Sequence, residues 1–126
     1  MKLIGWIAAG GAVGATARYL VMVAVAQIWG AAFPWGTLTV NVVGSFILGA
    51  LVEAFALVWS VGEGPRAFLV VGMLGAFTTF STFSLDVVTL YERGALLAAA
   101  GYIIISVLLS VAALFAGLAL ARAVLA

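Results

Sequence analysis

The sequence predicts an all-α integral membrane protein with four spanning helices, and three observations carry that prediction. Charged residues make up only 7% of the 126 residues, hydrophobic ones reach 67%, and the mean hydropathy is +1.39. Soluble chains carry about 25% charged residues and could not cover a folded surface against water with so few. A spanning helix consumes about 20 residues, so four spans with short loops fill this length as a single membrane domain over 1–126.

The spans are expected at 3–28, 36–59, 67–91 and 95–121. The first opens after Lys2 and carries Gly10, Gly14 and Arg18 on one face, a small-xxx-small spacing that permits close backbone approach. A signal peptide is the alternative for this segment, with Ala24-Val25-Ala26 as the cleavage-like site, but the run is too long and Arg18 interrupts it. Arg18 needs acceptors at membrane depth, which assigns it either a structural role or a place in an anion-attracting vestibule. Pro34, then Gly62, Gly64 and Pro65, then Gly94 punctuate the three loops. Trp29, Trp35, Trp59 and Tyr91 fall at the expected ends, where amphipathic rings favour the interface.

Polar residues in the second and fourth spans form stripes. Thr37, Asn41, Ser45, Gly49 and Glu53 recur every four residues, as do Tyr102, Ser106 and Ser110, and a step of four returns to nearly the same helical face. Single hydroxyls of this kind commonly bond across helices or back to their own backbone. Two aligned stripes, one bearing Asn41, favour a solvated track.

The third span is the least regular. Gly72 and Gly75 precede Phe77-Thr78-Thr79-Phe80-Ser81-Thr82-Phe83-Ser84, whose hydroxyls offer the backbone alternatives to helical bonding. A break near the middle is expected, against an unbroken helix rich in hydroxyls. A broken helix at membrane depth exposes opposite partial charges, carbonyls suited to a cation and amides suited to an anion.

Several function classes are excluded. Without Cys or His there is no disulfide framework, thiol nucleophile, imidazole base or ordinary zinc site. A net charge of +1 gives no basic field for nucleic acid. Glu53, Glu63, Asp86 and Glu92 are too scattered for a hydrolytic pair, so no enzyme is expected. An even number of spans places Lys2, Arg66 and Arg122 on one side against Arg93 alone, or against Arg93 and Arg18, on the other. So weak a bias is compatible both with one orientation and with two copies of opposite orientation paired in the membrane.

Three stretches carry a family resemblance: Gly14-Ala15-x-x-Arg18-Tyr19, then Gly36-Thr37-Leu38-x-Val40-Asn41-x-x-Gly44-Ser45-Phe46, then Gly72-x-x-Gly75-x-Phe77-Thr78-Thr79-Phe80-Ser81-Thr82-Phe83. Over essentially its whole length the chain resembles the Fluc (CrcB) family of small bacterial and archaeal fluoride channels. The resemblance implies a multi-pass protein of the bacterial inner membrane that confers fluoride resistance by passive, selective export. It implies an antiparallel, dual-topology homodimer with two fluoride pores and a structural sodium ion at the interface. Carried to this sequence, it gives the sodium to the main-chain carbonyls of Gly75 and Thr78 in both subunits. Asn41 would donate to fluoride, Phe80 and Phe83 would present ring edges, and Ser81 and Thr82 would offer hydroxyls. Tyr102, Ser106 and Ser110 match the family's polar track, beyond which the chain has Ala112, Ala113 and Gly117 where some members carry another hydroxyl. Asp86 and Glu53 are left outside the site.

Two rivals remain on sequence grounds. A small dual-topology multidrug exporter would have this length but depends on a carboxylate in its first span, which is missing here. A non-conducting assembly subunit would use the glycine faces only to bind other helices.

Overall fold

A computed structural model describes residues Lys2–Ala126. Four helices are long and apolar enough to cross a membrane: Lys2–Trp29, Trp35–Leu57, Glu63–Glu92 and Leu96–Leu125. At 1.5 Å per residue, the shortest reaches about 35 Å and clears a hydrocarbon core of roughly 30 Å. Large apolar side chains point outward along all four spans, Leu97 being 91% exposed, and the interior is lean. Such a surface needs lipid or another copy of the chain as its solvent.

The third span is interrupted. Its first half runs from Glu63–Arg66 through wider i→i+5 turns over Ala67–Leu74 and a last turn at Gly75–Phe77. Thr78 then takes an extended conformation, φ −84° and ψ 160°, and helix resumes at Ser81–Glu92. Hydroxyl competition contributes: Thr78 Oγ1 donates back to the Leu74 carbonyl at 3.0 Å.

The spans begin and end within four residues of the expected positions, and the differences have local causes. The third starts at Glu63 rather than 67, because Pro65 falls in its first turn, where a missing N–H breaks no helical bond. The second stops at Leu57 and leaves Trp59 outside. The fourth continues to Leu125, with Arg122 in the last turn, where a cation complements the helix dipole. Gly30 and Gly94 take positive φ, 81° and 80°, and turn the chain after the first and third spans.

Small residues seat the spans in two pairs. The first packs on the first half of the third, and a Cβ at Gly14 would collide with the Met73 carbonyl. The second packs broadly along the fourth, where Gly117 admits the Phe46 carbonyl and Gly49 the Leu114 carbonyl. Gly117, beyond the fourth-span stripe, is thus a helix contact. The buried cluster of Leu38, Leu90, Ala99 and Tyr102 joins the second and fourth spans to the second half of the third. Arg122 bonds Glu53 at one end of the bundle, and Arg93 bonds the Ala32 carbonyl at the other.

Candidate functional site

The break is held from outside the third span. Asn41, in the second turn of the second span, donates its Nδ2 to the Thr79 carbonyl at 2.9 Å and accepts the Thr79 N–H on Oδ1 at 2.8 Å. The Thr79 hydroxyl accepts the Thr82 N–H at 3.1 Å, satisfying a donor that the start of a helix leaves orphaned. Thr79 and Ser81 hydroxyls lie 3.5 Å apart. Gly44 makes room for this arrangement, since a Cβ there would collide with the Thr78 methyl.

Beside the break lies a groove of about 400 Å³, open along one side. Asn41, Ser45, Ser106 and Ser110 supply its polar side chains, and Phe80 and Phe83 supply rings. Gly75, Thr78 and Thr79 bring the interrupted backbone to the same wall. The two phenylalanine rings have centroids 5.4 Å apart, and Phe80 is 77% exposed. An aromatic edge is electropositive, so rings turned edge-on to the groove would join its hydroxyls and amide in stabilising an anion without a fixed positive charge.

Of the residues expected from sequence, Asn41, Gly75, Thr78, Phe80, Phe83, Ser106 and Ser110 therefore meet in one groove. Ser81, Thr82 and Tyr102 are not among its lining residues. Ser81 and Thr82 open the second half-helix, one exposed and one half-buried. Tyr102 is fully buried, stacks at 5.1 Å on Phe83, and donates its hydroxyl to Asp86 at 2.9 Å. Arg18 bonds the Ala76 carbonyl and the Thr82 hydroxyl, which engages it with the break.

Sequence reasoning passed over three residues. Thr79 is the hub of the break, although it stands within the Phe-Thr-Thr-Phe run that signalled it. Asp86, left outside the site on sequence grounds, is placed by its tertiary pairing with Tyr102. Thr37 belongs to the second-span stripe: it is 1% exposed, beside Tyr102, and its Oγ1 meets no partner in bonding geometry. Ser106 Oγ is likewise buried without a partner. An unpaired buried hydroxyl is costly, so each of these groups calls for a partner.

Among the described residues no cluster of three acidic side chains could hold a metal. The main chain is different: among the described residues neither the Gly75 nor the Thr78 carbonyl receives a hydrogen bond from the backbone or from a side chain. Neutral carbonyl oxygens suit a hard cation, so the donor set fits an alkali ion in chemistry, with two oxygens per chain.

Four spans, the second, third and fourth of which line a donor-bearing groove, define a multi-pass membrane protein. The family model for CrcB-like protein, Camphor Resistance (CrcB), matches residues 5–118, and the chain belongs to that family. A protein of Rhodospirillum centenum named fluoride-specific ion channel FluC is 57% identical over 126 residues, covering 100% of both chains. Proteins of the same name from Agrobacterium fabrum and Chelativorans sp. are 56% and 57% identical over 119 and 116 residues, covering 94% and 92% of this chain and 95% and 93% of theirs. The relatives carry the name of an ion channel rather than of an enzyme, in agreement with the expectation from sequence that this chain is not an enzyme.

Proposed function

We propose that this protein is a fluoride-selective passive channel that exports fluoride from the cytoplasm and works as an antiparallel, dual-topology homodimer. The observation that carries the reading is the single groove holding Asn41, Ser106, Ser110, Phe80 and Phe83 beside the helix break. The names of its relatives support the choice of ion. The groove is open on one side, and the surrounding apolar surface suits a second copy that would close it.

Conduction follows from the donors. A desolvated fluoride exchanges strong hydrogen bonds to water for several weaker ones, here one N–H of Asn41 not used on Thr79, the hydroxyls of Ser106 and Ser110, and ring edges. A larger, weaker acceptor such as chloride recovers less from the same donors. An inside-negative potential contributes about 2.3 kcal/mol per charge per 100 mV, so outward movement needs no nucleotide.

A sodium ion would be held by the Gly75 and Thr78 carbonyls of both copies, tying the two breaks together. It supplies a fixed positive charge at the interface when bound. The chain's own part is to present those carbonyls by ending the first half-helix at Phe77.

The test is fluoride efflux from liposomes containing only the purified protein, with chloride as comparison and an electrogenic shunt added or withheld. Rapid fluoride release with the shunt and negligible chloride release are expected. No fluoride release with the shunt sinks the assignment, and equal chloride release sinks the selectivity. Slow, saturating flux coupled to protons would favour a transporter instead.

A further inference from the structure

The break interrupts the hydrogen-bond ladder that normally fixes one turn of a helix against the next, so the angle between the halves must be set by something else. Arg18, on the first span, reaches both sides. Its Nε donates to the Ala76 carbonyl at 3.0 Å, in the last turn of the first half, and a terminal guanidinium nitrogen donates to Thr82 Oγ1 at 3.4 Å, in the first turn of the second half. We infer that Arg18 is a positioning residue for conduction: it splints the two half-helices and fixes the direction in which the Thr82 hydroxyl donates. This inference rests on the channel reading of the groove.

The chemistry of the donor decides the direction. A guanidinium has donors only, so Thr82 Oγ1 must accept, and its own proton is turned away from Arg18 and left free to donate. The N–H of Thr82 goes to the Thr79 hydroxyl, and Thr79 is gripped by Asn41. A continuous chain of bonds thus runs from Arg18 through Thr82 and Thr79 to Asn41, and its last two members line the groove. Arg18 also occupies the Ala76 carbonyl, while those of Gly75 and Thr78 stay free. A rigid planar fork can reach two acceptors on different half-helices, whereas an ammonium is a point charge on a flexible stem. An arginine that served only to draw anions toward the pore would need neither bond.

Fluoride efflux from liposomes holding the purified full chain separates the two roles. With charge retained, R18K should lower flux at saturating fluoride by at least about tenfold, the scale of one charge-assisted hydrogen bond. The loss should be the same at low and high ionic strength. T82V should lose flux comparably, T82S should keep it, and adding T82V to R18K should cost little more, because both remove the same link. Near-wild-type flux in R18K, or a deficit that disappears as fluoride or ionic strength rises, would overturn the inference in favour of simple attraction. Full flux in T82V, or loss in T82S, overturns it too, and that pair decides alone if R18K does not fold. Absence of flux in the wild-type chain sinks the channel reading itself, whereas wild-type flux with R18K intact sinks only the role of Arg18.

Discussion

Asn41 holds Thr79 by both of its backbone polar groups, giving a proton to the carbonyl at 2.9 Å and taking the N–H at 2.8 Å. A side-chain amide thereby replaces the helical partners that the break removes. The same amide keeps one N–H unspent at the groove wall, which joins the support of the break and the solvation of an anion in one residue.

Asn41→Asp tests that union. The carboxylate still accepts the Thr79 N–H but presents a negative oxygen to the Thr79 carbonyl and to any anion in the groove. Fluoride efflux from liposomes should fall by at least about tenfold, the scale of a lost hydrogen bond to a charged or buried group. Full flux in the variant would remove Asn41 from the lining.

The glycine face of the first span gives a paired prediction about stability. A Cβ at Gly14 collides with the Met73 carbonyl, and backbone cannot swing aside as a side chain can. Gly14→Ala should destabilise by about 1–3 kcal/mol, as overpacking does. Gly11, with nothing within 4 Å of the added carbon, should accept alanine without loss. Thermal unfolding of both variants in detergent checks the contrast, and equal behaviour would deny that the Gly14 contact orders the first span against the third.

How much of this was legible in the sequence depends on the range of the interaction. Four spans follow from composition and apolar run length, and the interruption follows from hydroxyls and glycines crowded into a few residues. Both are local signals. The every-four stripe of the second span is visible but misleading as a single track, because its members separate in space: Asn41 and Ser45 line the groove, Gly49 seats the fourth span, and Glu53 turns to Arg122. The fourth-span stripe separates likewise, with Tyr102 buried against Asp86 while Ser106 and Ser110 reach the groove. Periodicity assigns a face to a helix, and the tertiary partner then decides what each residue on that face does. Arg18 makes the same point, since its acceptors lie 58 and 64 residues away in sequence.

The Tyr102 hydroxyl supports a carboxylate at the same depth. It donates to Asp86 at 2.9 Å, and the ring is wholly buried between Phe33 and Phe83. Tyr102→Phe preserves the ring stack and removes only that donor, leaving a partly buried carboxylate less satisfied. The expected cost is about 1–3 kcal/mol in stability, read by denaturant or thermal unfolding, with Asp86→Asn restoring part of it in the double variant. A Tyr102→Phe protein as stable as the wild type would show that water satisfies Asp86 without help.

Glu53 separates passive conduction from carboxylate-coupled transport. It bonds Arg122 at 3.0 Å near one end of the bundle, with Glu53 13% and Arg122 64% exposed, and its side chain is not part of the groove lining. One open, solvent-screened partner makes this a weak ion pair, so Glu53→Gln should change stability by less than about 1 kcal/mol. Flux should be unaltered, because no proton needs to ride on this group for fluoride to pass. A proton-coupled exporter would behave otherwise: neutralising its working carboxylate abolishes coupled movement while leaving the fold intact. Fluoride flux measured with and without an imposed pH gradient distinguishes the two. Loss of flux in Glu53→Gln, with the protein still folded, would replace the channel by a transporter whose coupling site lies at the Glu53–Arg122 pair.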